Sequence, residues 1–277
     1  ICSTFLLVGC SGDSSSDNSN SEPVAQVETV IASNDSATPN INDSSTISWY
    51  VPAVSATWQW QLSGTVNTTY DVDIYDIDLF DSPISLIQEL QASGKKVICY
   101  FSAGSYEEWR DDADSFLESD LGKALDGWEG ERWLDVRSSN VRAIMESRLD
   151  LAKDKGCDAV EPDNMDGYTN NPELDFTAED QLIYNRFIAD AAHERLLGVG
   201  LKNDLDQIED LVTYYDFAVN EQCFEFNECI KLMPFVVDDK AVFTAEYDDL
   251  YVNDETTRTA LCANASNLNF STLILPL

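Results

Sequence analysis

Histidine is almost absent from this chain: His193 is the only one in 277 residues. A His-rich zinc site and a Ser-His-Asp triad each need an imidazole at the reacting centre. His193 lies in the stretch Thr177–Leu197, where apolar residues recur at helical spacing, so it reads as a helix-packing or surface residue. Both chemistries are set aside, and no metal or organic cofactor is expected. Basic residues are scarce too. Lys and Arg total 16 against 51 Asp and Glu, for a formal net charge of −35. Nucleic acid is a poor partner for such a chain, because its phosphates are repelled. There is no Gly-rich phosphate loop. Beyond the first ten residues no apolar run is long enough to span a membrane.

Apolar residues make up 44% of the sequence, enough for a sizeable core, so the acidity belongs to a folded protein. The length suits one large α/β barrel or two smaller domains. Phe5-Leu-Leu-Val-Gly-Cys10 ends in a Leu-Val-Gly-Cys box and is followed by Ser11. It reads as a lipoprotein signal whose charged leader lies upstream, with Cys10 lipidated and seated in a bilayer. Residues 1–10 are assigned to that signal. Residues 11–50 hold Ser, Asn, Asp and Thr but no Lys or Arg, and read as an acidic tether with no core of its own. Residues 51–277 are the folded domain, with order beginning near Trp58. A monomeric cell-envelope lipoprotein, periplasmic or on the surface and sorted to the outer membrane, is the expectation.

Within the domain strands and helices alternate. Strands are expected at Trp58–Leu62, Val72–Leu79, Lys96–Phe101, Ala159–Asp163, Val199–Lys202, Phe217–Glu221, Ala241–Glu246 and Leu273–Leu275. Ser82-Pro83 opens one helix and Gly94 ends it. Val141–Lys155 stops at Gly156, and a helix capped by Thr177 stops at Gly198. The long stretch after the third strand carries Tyr106, Trp109, Trp128 and Trp133, with room for an extra strand at Trp133–Val136. The pattern predicts a single-domain (β/α)8 TIM-type barrel with an extended loop after strand three. Of the cysteines, Cys223 and Cys229 are the best disulfide pair. Cys99 reads as a small core residue, and the pairing of Cys99, Cys157 and Cys262 stays open. That set of five is odd, so a leftover thiol is expected.

The chemistry concentrates at the strand ends. Asp158-Ala-Val-Glu-Pro-Asp-Asn-Met-Asp-Gly-Tyr168 runs from apolar residues into Glu161, Asp163, Asn164 and Asp166. Phe217-Ala-Val-Asn-Glu-Gln-Cys223 ends in Glu221 and Gln222. Trp60, Asp76, Asp78, Tyr100, Lys202, Asn203, Glu246 and Tyr247 close other strands. Barrel interiors are normally filled by branched apolar side chains, so five strands ending in carboxylates call for a function. The rim at those ends is where barrels place catalysis, and two facing carboxylates suffice to cut a glycosidic bond. One acid would be nucleophile or base; the other would be a general acid with a raised pKa.

Six segments carry a resemblance: Trp58-Gln-Trp-Gln-Leu-Ser-Gly64, Asp76-Ile-Asp-Leu-Phe80, Val97-Ile-Cys-Tyr-Phe-Ser-Ala-Gly104, Glu161-Pro-Asp-Asn-Met-Asp-Gly167, Leu201-Lys-Asn203 and Asn220-Glu-Gln-Cys223. In this order they resemble the endo-α-1,4-polygalactosaminidases of glycoside hydrolase family 114, from about Trp58 to the end. The resemblance implies an enzyme that cuts a cationic galactosamine-containing polysaccharide internally. It puts the catalytic acids on Asp163 and Glu221, and it departs in having Glu161 where relatives carry Asp. Asp78, Asp166 and Glu246 are candidates for the sugar ammonium, and Trp60, Tyr100 and Tyr247 for its faces. Lys202 is a candidate to orient a carboxylate; Asn164, Asn203 and Gln222 complete the binding set. An exchange of roles among Glu161, Asp163 and Asp166 stays open, as does the choice between retention and inversion.

Overall fold

Apolar residues crowd the first half of most strands and polar residues the second, which gives a barrel with a dry floor and a charged mouth. The computed structural model describes residues 8–9 and 48–276. Eight strands form the barrel: β1 (Trp58–Gln61), β2 (Ile74–Asp78), β3 (Lys96–Ser102), β4 (Ala159–Asp163), β5 (Gly198–Lys202), β6 (Phe217–Glu221), β7 (Ala241–Glu246) and β8 (Phe270–Ile274). Each pairs in parallel with the next, in chain order. This is a (β/α)8 barrel. Among the described residues no backbone ladder joins β1 to β8. Side chains bridge the seam instead: Trp58 Nε1 donates to the Ser271 carbonyl at 3.0 Å, and Ser271 Oγ donates to the Ala56 carbonyl at 2.7 Å. Val8–Gly9 lies antiparallel beside β8.

Strand alternation splits the core in two. Trp58, Ile74, Ile98, Ala159, Phe217, Phe243 and Leu273 point inward and plug the barrel floor. Tyr75, Ile77, Val97, Cys99, Val160, Val199 and Leu201 point outward and pack under the helices. Those helices are α1 (Ile84–Ala92), α2 (Ser139–Lys155), α3 (Ala178–Glu194), α4 (Ile208–Leu211), α5 (Met233–Val237), α6 (Asp249–Asn253) and α7 (Glu255–Asn267). None of them is long and apolar enough to cross a membrane. Thr177 and Asp180 form a capping box on α3, and Gly156 ends α2 in the left-handed region.

Several details differ from the sequence reading. Pro83 itself takes the cap position of α1, and no side chain caps that end. α3 ends at Glu194, with Leu196 making the left-handed turn, and Gly198 already belongs to β5. A Cβ on Gly198 would lie 2.1 Å from the Tyr50 carbonyl, so the glycine serves close approach rather than helix termination. β8 starts earlier than expected. Ser271 and Thr272 hide it in the pattern, yet Ser271 closes the seam and Thr272 shares a 2.6 Å hydroxyl bond with Thr244. The extra strand is present as Glu131–Leu134, the middle of a three-stranded antiparallel sheet with Ser105–Glu107 and Leu121–Ala124.

Ordered packing begins before Trp58, inside the stretch assigned to the tether. Trp49 stacks on His193 with ring centroids 3.8 Å apart, and both bond to Asp216. Tyr50 packs against the barrel floor. His193 is thus a packing residue. The Cys10 lipid site, and the rest of the signal and tether apart from Val8–Gly9 and Ser48–Tyr50, lie outside the described residues. Cys223 and Cys229 form a disulfide across the rim loop. Cys99 is not a free core thiol: it faces outward from β3 and pairs with Cys157, just before β4. Cys262 is disulfide-bonded as well, so the expected leftover thiol is not found among these five.

Candidate active site

The barrel mouth is organised around one ammonium. Lys202, the last residue of β5, is almost wholly buried. Its Nζ lies 3.0 Å from Glu161 Oε1, 3.2 Å from Asp163 Oδ1 and 3.5 Å from Glu221 Oε2. The rings of Trp60 and Tyr100 flank it, with centroids 4.8 and 5.8 Å from Nζ. Register explains the convergence. Tyr100 stands opposite Glu161, Ser102 opposite Asp163, and Lys202 opposite Val219, two residues before Glu221. Burial pulls the Lys202 pKa down, but Asp163, Glu161 and Glu221 outweigh it and hold the ammonium well above its ordinary value.

Each acid has its own setting. Asp163 accepts from Tyr100 Oη at 2.8 Å and from the Asn164 amide at 2.7 Å. Both donors fix the orientation of its carboxylate. Glu161 is fully buried and accepts from Trp60 Nε1 at 3.0 Å. Glu221 is partly open to the cleft and accepts from Tyr247 Oη. Its amide donates to Asn203 Oδ1 at 3.0 Å, which pins the end of β6. Asn164, Asn203 and Gln222, at the turns after β4, β5 and β6, all have positive φ. Asn tolerates that region better than most side chains. Gly104 packs so tightly that a Cβ there would meet the Asn164 carbonyl at 1.7 Å. The Ala103 and Gly104 amides both donate to the Asp163 carbonyl.

Asp166 stands on the same cleft. Burial, followed by the Asp163 charge, raises it to about 6. Below the cluster Asp76 is fully buried, and no donor reaches either of its carboxyl oxygens. Burial and the neighbouring Glu161 carboxylate push its pKa well up, which favours the neutral acid.

A cavity of about 520 Å³ opens over this group. Trp60, Tyr100, Asn164, Asp166, Lys202, Asn203, Gln222 and Tyr247 line it together with the two carboxylates Asp163 and Glu221. Asp78 and Glu246 are placed elsewhere. Asp78 is buried in a bidentate pair with Arg110, at 3.1 and 2.7 Å. Glu246 is buried under the amides of Phe224 and Glu225, at 3.0 and 3.3 Å. Neither side chain lines this cavity. Arg110 escaped sequence reasoning because it sits in the long excursion, away from any strand end. Trp128, Glu131 and Met165 also line the cavity, and only the aromatic enrichment of the excursion hinted at one of them. Among the described residues no group of three or more His, Cys, Asp and Glu side chains is placed to hold a metal ion.

Known proteins resemble the chain along most of its length. The profile of glycoside-hydrolase family GH114 matches residues 38–275. The crystal structure of Ega3 from Aspergillus fumigatus in complex with galactosamine superposes with a TM-score of 0.78 at 46% identity, covering 83% of this chain and 94% of that one. The glycoside hydrolase domain of PelA from Pseudomonas aeruginosa shares the fold, with a TM-score of 0.62 at 13% identity over 80% of this chain and 94% of its own. No curated protein sequence matches the chain.

Proposed function

The chain belongs to glycoside-hydrolase family GH114, and from that premise we propose that it cuts a cationic, galactosamine-containing α-1,4-linked polysaccharide internally, with Asp163 and Glu221 as its catalytic pair. The observation that carries the reading is the shared Lys202 ammonium, which gathers both carboxylates at one open cavity. The galactosamine held by Ega3, 46% identical to this chain, supports the sugar class. Asp163, oriented by Tyr100 and the Asn164 amide, attacks the anomeric carbon. Glu221 gives its proton to the departing glycosidic oxygen, then takes one from the water that releases the glycosyl-enzyme. We propose retention, because two carboxyls that share one nitrogen at 3.2 and 3.5 Å lie close together, and retaining enzymes use a short spacing of about 5–5.5 Å.

Asp163→Asn and Glu221→Gln are each expected to abolish cleavage of galactosamine oligomers while circular dichroism stays unchanged. Either variant within about tenfold of wild type would refute the assignment, since losing a catalytic carboxylate costs far more. Nuclear magnetic resonance of the first product should show the α anomer. The proposal extends to a monomer anchored in the cell envelope through lipid on Cys10, on the strength of the Leu-Val-Gly-Cys box and the polar stretch after it. Cys10→Ser in the full precursor should then release soluble protein; an unmodified precursor that is already soluble would end that part.

A further inference from the structure

The excursion after β3 brings to the cavity one carboxylate that no barrel strand supplies. Glu131, on the middle strand of the three-stranded sheet, lines the cavity and is 8% exposed. Its hydrogen bonds lead from there to the nucleophile. Ser105 Oγ donates to Glu131 Oε2 at 2.8 Å. Ser105 pairs opposite Trp133, so Glu131, two residues earlier, is its diagonal neighbour on the same face. Ser105 Oγ also lies 2.6 Å from Ser102 Oγ, and both serines are fully buried. Asn164 Nδ2 donates to Ser102 Oγ at 3.0 Å and reaches Ser105 Oγ at 3.3 Å. The Asn164 backbone amide then holds Asp163 Oδ1 at 2.7 Å.

Proton counting gives this chain one direction. A hydroxyl carries a single proton. That of Ser105 goes to Glu131, so Ser102 is the donor between the two serines. Ser102 Oγ is left to accept, from the Ser105 amide at 3.0 Å and from Asn164. Asn164 must therefore present its NH2 group and not its carbonyl. Without Glu131 the Ser105 proton is free to turn to Ser102, whose own proton then points at an NH2 that cannot accept it. Asn164 has little room to adapt. It holds φ at 61°, and a Cβ on Gly104 would lie 1.7 Å from its carbonyl oxygen. Arg148 fixes the strand beneath by donating to the Ser102 carbonyl at 2.6 Å.

We infer that Glu131 is a positioning residue for Asp163: through Ser105, Ser102 and Asn164 it fixes the carboxylate that attacks the sugar. This role rests on the function proposed above and gives the excursion sheet a part in its chemistry.

The test compares Glu131→Ala and Ser105→Ala with wild type on galactosamine oligomers, with rates corrected for the folded fraction by circular dichroism. Each should lower kcat by about tenfold, the scale of one buried hydrogen bond, and leave KM within about twofold. The double variant should lose no more than the worse single, because both break one chain. Glu131→Gln should restore most of kcat, since its amide oxygen accepts the Ser105 proton. The loss should persist on a nitrophenyl glycoside of a galactosamine oligomer, whose leaving group needs no proton from Glu221 but still needs Asp163. Ser105 does not line the cavity, so a rise in KM confined to Glu131→Ala, with kcat held, would mean that Glu131 touches the sugar itself and would overturn the role. So would losses that multiply in the double variant, or a loss that vanishes on the nitrophenyl substrate. A wild-type enzyme that cuts no galactosamine oligomer would overturn this role and the proposed function together.

Discussion

At the scale of single residues, Asp76 and Lys202 show how the barrel holds more acid than base in a dry space. Lys202 offsets part of the charge on Glu161, Asp163 and Glu221, and the raised pKa of Asp76 favours its neutral form. If Asp76 works as the neutral acid, an amide in its place can donate to Glu161 equally well. Asp76→Asn should therefore keep kcat within about threefold of wild type, where loss of a catalytic carboxylate would cost orders of magnitude. Steady-state kinetics decide the matter; a collapse of kcat matching that of Asp163→Asn would show that Asp76 acts through its charge.

At the scale of elements, the rim loops position what the strands deliver. The loop after β6 carries Gln222 and Phe226, and it is held by the Cys223–Cys229 disulfide and by Glu246 under its amides. If the loop binds sugar without reacting with it, replacing both cysteines by serine should raise KM on long oligomers more than it lowers kcat. Equal loss in both parameters would mean that the loop also sets the posture of Glu221. These elements also show where sequence patterns suffice. Strands β4, β6 and β7 were legible to the residue, since each is an apolar run ending in an acid. β8 was not, because Ser271 and Thr272 break the apolar run while bonding across the sheet. Trp60, Tyr100, Asp163, Lys202 and Glu221 converge because register brings strand ends together. Asp78 shares the inward face of Ile74 and is taken up by Arg110, whereas alternation puts Glu246 on the outward face with Val242, under the Phe224 amide.

At the scale of the whole molecule, burial of acids sets a pH dependence. Asp204 is raised to about 8, Glu246 to about 7 and Asp166 to about 6, each first by burial. In the unfolded chain these groups titrate near an ordinary value of about 4. Between that value and about 8 the folded protein keeps protons that the unfolded chain releases, so stability falls as pH rises. Below it both states are protonated and the contribution is fully present. Asp135, Asp180 and Asp254, lowered by their hydrogen bonds, act in the opposite sense at the acid end. Self-repulsion from the net charge of −35 adds to the loss at higher pH. Calorimetry should find the highest Tm in mildly acidic buffer and a steady decline toward pH 8. A Tm that is flat or rising over that range would contradict the account.

The seam between β1 and β8 has a consequence for how the molecule breathes. A barrel bonded along every strand edge must unfold cooperatively; this one has a place where it can come apart locally. Among the described residues, parting there loses two side-chain hydrogen bonds and the packing of Trp58 on Phe243 rather than a ladder. Trp60 rides on β1, and its indole holds Glu161. A strand-sized fluctuation at the seam therefore reaches the charged cluster directly, and amide exchange along β1 would report excursions that open the active site from behind.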